Sequence, residues 1–264
     1  MTLDDLVALV RRGELGPDPA GSEVSVAFTT RQGARHATRD QTYRNTVVSL
    51  RVEASVGSCS VEEIADADVH ECVGRTVGEL LDHPDPAIRT AVLDAYLGHV
   101  RPHAASDART VTVGPGSSLV KSLRRAEAVV DLLDPAPGER VLVVGVVNSL
   151  LHHLRERGTD YVACDLRGGR TEWGEAVTTD ATAALDRCDL VLASGMTVGN
   201  GTFEPLLRGA RAAGTPVVAF AQTASAVLPW FIGSGVRAVA AEPYPFFWLD
   251  GGPTTTHHYT ERPS

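Results

Sequence analysis

The segment Cys188–Leu207, CDLVLASGMTVGNGTFEPLL, decides the fold of this chain. Leu190, Val191, Leu192 and Ala193 form a short unbroken apolar run, which suits a strand covered on both faces, as in a parallel sheet. A polar turn follows at once, and a helical pattern follows the turn. Ser194, Gly195, Thr197, Asn200, Gly201 and Thr202 supply hydroxyls, an amide and two flexible backbone positions where the exposed amides of the next helix begin. Ligands of open α/β sheets sit at that edge, outside the carboxyl ends of the strands. These six residues are therefore candidate ligand-binding groups.

The same rhythm extends to both sides of this segment. Leu119, Leu123, Ala126, Val130 and Leu133 mark a helix, Asp134–Glu139 (DPAPGE) a turn, and Val141–Val144 a buried strand entering Gly145. Further strands are predicted over residues 161–165, 189–194, 216–221 and 236–240, with helices near 149–157, 202–213 and 223–233. Alternating strands and helices require parallel strands joined by right-handed crossovers. The fold class is α/β, a doubly wound, mostly parallel Rossmann-like sheet. It is preceded by a smaller α+β domain. There, Val24, Val26 and Phe28 alternate, as do Val48, Leu50 and Val52, the period of half-buried antiparallel strands. A helix near 76–82 precedes one that starts at Asp85 and Pro86, with its apolar stripe at Ile88, Ala91, Val92 and Ala95. The polar, aperiodic stretch Arg101–Arg109 divides the chain into domains 1–105 and 106–264.

Composition narrows the function. The chain has 264 residues, 43% of them hydrophobic, and a net charge of −9. No basic face is concentrated anywhere, so nucleic acid is excluded as a partner. No apolar run approaches the roughly 20 residues of a membrane span. The expected partner is a small molecule, with a homodimer as a further possibility, and the expected location is the cytoplasm. The four cysteines, at 59, 72, 164 and 188, fit a reducing compartment.

From Val141 onward the chain resembles the Rossmann-like domain of the heavy-metal chelation family, formerly a domain of unknown function. The motifs that carry the resemblance are VLVVGVVNSLLHHL, ACDL, SGMTVGNGTFEPLL and VVAFAQTASAVLPWFIGSGVRAV. The first half resembles that family's usual partner, a domain similar to the amino-terminal domain of enolases, through TYRN, VGSC and GRTVGELLDHPDPAIRTAVLDAYL. The resemblance implies two domains with a site where they meet, and a chelation role. Where the family has a Gly-Pro-Ser turn after its fourth strand, this chain has Ala221, Gln222 and Thr223, so Gln222 and Thr223 join the candidate site.

The residues qualify these implications. Tyr43, Arg44 and Asn45 place a phenol, a guanidinium and an amide immediately before a strand, a group able to hold a carboxylate. The loop Gly145-Val146-Val147-Asn148-Ser149 lacks the second and third glycines of a dinucleotide site, which argues against NAD or FAD and leaves the cofactor unspecified. Gly145, Asn148 and Ser149 stay as candidates, Asn148 or Ser149 also as a helix cap. Asp165, at the end of the second strand, can meet a ribose hydroxyl of a nucleoside or S-adenosylmethionine, or simply cap or pair with Arg167. No metal ligands are assigned. Cys59, His70, Glu71 and Cys72 lack a tight ligand spacing, and His257 and His258 read as a polar tail. His152 and His153 read as surface residues. Lys121, the one lysine, follows GPGSS and could complete an anion pocket or simply follow a capped turn. Glu242–Trp248, EPYPFFW, reads as an extended cover over the sheet or the cleft.

No nucleophile elbow, Walker loop or telling acid pair is present. Two readings result. The first is a protein that binds a small polar ligand or metal complex in the interdomain cleft. The alternative is an enzyme of a specialised biosynthetic pathway, cyclising or activating an amino-acid-like substrate in the same cleft.

Overall fold

A computed structural model of the chain describes residues 1–35, 42–61 and 69–261. The first lobe opens with α1 (Leu3–Arg11) and a three-stranded antiparallel meander, β1 (Val24–Arg35), β2 (Thr42–Val52) and β3 (Ser55–Val61). Against it pack α2 (Val77–Leu80) and α3 (Pro86–Val100). Asp85 caps α3 by accepting the Ala87 amide at 2.8 Å, and Pro86 occupies the first turn, as the sequence predicts.

The second lobe is a seven-stranded sheet in the order β4-β10-β9-β8-β7-β5-β6. Its parallel strands are β5 (Arg140–Val144), β6 (Asp160–Cys164), β7 (Leu190–Ser194), β8 (Val217–Ala221) and β9 (Val236–Ala241). Two antiparallel strands, β4 (Arg109–Val113) and β10 (Thr254–Thr260), complete one side. The helices are α4 (Ser118–Leu133), α5 (Asn148–Glu156), α6 (Met196–Gly199) and α7 (Phe203–Ala213).

Strand alternation divides the core into two layers. Val141, Val143, Leu190 and Leu192 pack with Val129, Val130 and Leu150 of α4 and α5. Leu142, Val191 and Ala193 face the other way, into one continuous cluster with Leu206 of α7 and with Leu50, Ile88 and Ala91 of the first lobe. The first lobe thus covers part of one sheet face. No described helix is long and apolar enough to cross a membrane.

Several expectations are corrected. The Tyr43–Asn45 group lies inside β2 rather than before a strand, paired with residues 32–34 of β1. The predicted helix over 223–233 is only a 3-10 turn at Leu228–Phe231. Pro229 interrupts it, and Ala224 takes a left-handed φ of 54°. His257 and His258 form no tail. Both lie in β10 and are buried, which their strand neighbours on both sides require. Lys121 is buried too, and its Nζ donates to the carbonyls of Asp250 at 2.5 Å and Gly252 at 2.6 Å. It ties the last segment to α4 instead of forming an anion pocket, while Ser117 caps that helix. His152 and His153 are only partly exposed, and both reach Glu156.

Candidate functional site

The chain leaves β5 for β6 on one side and returns to β7, β8 and β9 on the other. The strand order therefore reverses between β5 and β7, the place where doubly wound sheets open a crevice. Gly145 directly follows β5, and Ser194 ends β7. Gly145 has φ 88°, and a Cβ there would lie 2.6 Å from the Cβ of Ser194, so this position needs glycine.

Two adjoining cavities open at this point. The larger, about 440 Å³, is lined by Thr197, Asn200, Gly201 and Thr202, together with Cys164, Thr179 and Asp180. The smaller, about 230 Å³, lies between the lobes. Tyr43, Arg44 and Asn45 of β2 face Ser149, Gln222 and Thr223 across it. Gly145, Asp165, Ser194 and Met196 line both cavities. The Asn-Gly-Thr bend and the Tyr-Arg-Asn group thus occupy neighbouring compartments with a shared wall. Two candidates line neither. Asn148 is buried and donates to the Tyr43 hydroxyl at 3.1 Å, which joins the lobes. Gly195 lies where a Cβ would meet the Thr223 carbonyl at 2.1 Å, and its role is close packing of β7 on the turn after β8.

The loops are braced from within. Asp165 accepts the amide of Val146 at 3.1 Å and that of Arg167 at 3.0 Å, so it fixes the turn after β5. No side chain caps α5. Val147 stands at the cap position, and Asn148 and Ser149 fall inside the helix. Ser149 instead shares a hydrogen bond of 2.9 Å with Ser122 of α4. The polar turn expected after β7 holds a short helix of its own: α6 stops at Gly199, Gly201 takes φ 76°, and α7 begins after Thr202, where the sequence predicts a helix. Asn200 Oδ1 holds that break by accepting the amide of Thr202 at 3.1 Å and its hydroxyl at 2.7 Å.

Phe246 and Trp248, from the segment read as a cover over the sheet or the cleft, line the smaller cavity, and so does Arg125, which sequence reasoning missed. Arg125 is buried beside an equally buried Glu242. A basic residue inside the apolar stripe of a helix was the available signal, since such a residue requires a partner when buried.

The donor set does not fit a bare metal ion. Among the described residues, no three His, Cys, Asp or Glu side chains converge as a coordination group. Cys164 lines the larger cavity, but burial, helped by the charges of Asp165 and Asp180, pushes its thiol up to about 11. Burial pushes Cys59 up to about 12. Both stay protonated at neutral pH, whereas a soft metal binds thiolate.

Residues 128–242 match the family model described as "Putative heavy-metal chelation" (DUF364). A crystal structure of a DUF364 protein of unknown function from Desulfitobacterium hafniense superposes with TM-score 0.62 at 13% identity, covering 97% of this chain and 99% of that one. A second, from Pyrococcus horikoshii and also of unknown function, gives TM-score 0.52 at 14% identity, covering 88% of this chain and 92% of that one. At these identities the likeness concerns the fold. No curated protein matches the chain. The match to the family model described as "Putative heavy-metal chelation" is confined to residues 128–242, from α4 to the end of the parallel sheet.

Proposed function

We propose that this chain binds a small polar molecule, or a metal already enclosed by such a molecule, in the cleft between lobes 1–105 and 106–264. One observation carries the reading: both lobes build the wall of a single cavity of about 230 Å³, with Tyr43, Arg44 and Asn45 on one side and Gly145, Asp165 and Ser194 on the other. Amides, hydroxyls and guanidinium groups dominate its polar lining. Such groups recognise the outside of an organic ligand, and they are poor first ligands for a soft metal. A metal would therefore arrive already chelated, which reconciles the family's description with the donor set. The adjoining cavity of about 440 Å³ gives room for a second part of the ligand beside Thr197, Asn200, Gly201 and Thr202.

The test is to dialyse the purified protein against a small-molecule extract of bacterial cells, wash it, denature it, and analyse what is released by mass spectrometry and elemental analysis. The expected result is one organic species in near-equimolar amount, with or without metal. It should be lost in Ser194→Phe, whose ring would fill the wall shared by the two cavities. Equal release from Ser194→Phe, or stoichiometric metal with no organic species, would overturn the reading.

A further inference from the structure

We infer that the molecule held in the cleft bears a carboxylate, and that Arg125 anchors it; this rests on the cleft being a binding site. Arg125 lies in the middle of α4, with its side chain 7% exposed, and it lines the smaller cavity. Among the described residues it hydrogen-bonds only to Glu242, through Nε. An arginine and a carboxylate that serve each other alone pair fork to fork, with two parallel N–H···O bonds. Here one edge is used, and the two terminal amino groups, with four N–H donors between them, are left over beside a cavity.

The guanidinium is also held in place. Its carbon lies 5.8 Å from the ring centre of Phe220 and 5.6 Å from that of Phe247. Glu242 turns its second oxygen to the Phe247 amide at 3.3 Å. The fork is therefore oriented before any ligand arrives, which is how a binding site reduces the ordering penalty of association.

Other groups at the cavity repeat the imbalance. Gln222 lines it, and its buried Nε2 has no partner among the described residues. Arg44 stands exposed at its edge. The carboxylate of Asp165 is committed to the amides of Val146 and Arg167. Surplus donors call for a group that only accepts, and an ionised carboxylate is such a group. Phosphate is disfavoured by the loop itself. A phosphate cradle uses consecutive amides of a glycine-rich turn at a helix start. Here the turn reads Gly145-Val146-Val147-Asn148, and the Val146 amide is already given to Asp165.

The test is calorimetric titration of the full chain with citrate, succinate and inorganic phosphate. The native protein should bind a carboxylate more tightly than phosphate. Glu242→Gln removes the internal counter-charge while keeping an acceptor for Arg125, so citrate affinity should rise roughly tenfold; a purely structural ion pair gives no rise. The double variant Arg125→Met with Glu242→Met leaves no lone buried charge, so it should keep its fold, checked by thermal unfolding, and lose citrate affinity at least about tenfold. Unchanged citrate affinity in the double variant, no rise in Glu242→Gln, tighter phosphate than carboxylate binding, or no carboxylate binding at all would overturn the inference. Ser194→Phe separates the two levels. If it abolishes citrate binding and the double variant does not, Arg125 is not the anchor and the cleft reading stands. If neither variant affects citrate, both fall.

Discussion

Asp94 accepts the backbone amide of Ala226 at 2.7 Å through one carboxylate oxygen and that of Ser58 at 2.9 Å through the other. One buried side chain on α3 thus ties β3 of the first lobe to the turn after β8 in the second, 132 residues away. The amide of Ala224 closes the same seam by donating to the Ser58 carbonyl at 3.0 Å. Asp94→Ala should strand these amides without an acceptor and cost about 2–4 kcal/mol, read by denaturant unfolding. Because the clamp also sets β2 against the strand ends, ligand capture should fall with it. A loss below about 0.5 kcal/mol would show that the seam does not depend on this carboxylate.

Gly145 and Ser194 make a second, sharper prediction. At φ 88°, and with a Cβ only 2.6 Å from the Ser194 side chain, Gly145→Ala must distort the loop or push β7 away from β5. The expected loss is about 1–3 kcal/mol, with both cavities affected because Gly145 lines each of them. Ser194→Gly in the same chain removes the clashing side chain and should recover part of the stability. No recovery would place the strain in the backbone angle alone.

The central parallel strands β5, β7 and β8 were legible because each is an apolar run bounded by turn residues and buried along nearly its whole length. Other elements were hidden for physical reasons. In β10, the sequence TTTHHYT is polar by composition, and only its place between β4 and β9 makes His257 and His258 interior residues. In β4, RTVTV is short and lies at a sheet edge, where alternation is a weak signal. For α1 a signal existed: Thr2 and Asp5 form a reciprocal capping box. At the site, the Tyr-Arg-Asn group and the strand ends were visible as polar clusters. Arg125 was not, because its role depends on Glu242, 117 residues further along the chain.

Asn200 allows the bend to be tested apart from the fold. Its side-chain oxygen braces Thr202, the residue lines the larger cavity, and on the proposed function its amide nitrogen meets the ligand there. Asn200→Ala should abolish capture of the cleft ligand at a stability loss of about 1 kcal/mol or less. Asn200→Asp keeps the acceptor for Thr202 and so restores the bend. If the amide nitrogen meets the ligand, this variant stays inactive in binding, and full recovery would assign Asn200 a bracing role alone.

Buried titrating groups set opposing slopes of stability against pH. Burial pulls His103 and His258 from 6.5 down to about 4 and pushes Asp94 from 3.8 up to about 7. Between about pH 4.5 and 6, the unfolded chain carries protons on both imidazoles that the native chain lacks, so the histidines make stability fall as pH is lowered. Asp94 acts the other way: the native state keeps a proton that the unfolded chain has released, so its contribution is lost as pH rises from 3.8 towards about 7. Counting these large shifts alone, the unfolded state holds about one proton more, and stability should rise by about 1.4 kcal/mol per pH unit across that window. Asp94→Asn removes the opposing proton and should steepen the slope to about twice that value, whatever it does to stability at any single pH. His103→Phe keeps a ring beside His257, removes one imidazole, and should bring the slope near zero. Denaturant unfolding at several pH values reads all three chains. An Asp94→Asn slope equal to that of the native protein would mean that Asp94 is ionised in the seam, its charge carried by the amides of Ser58, Ala226 and Val227.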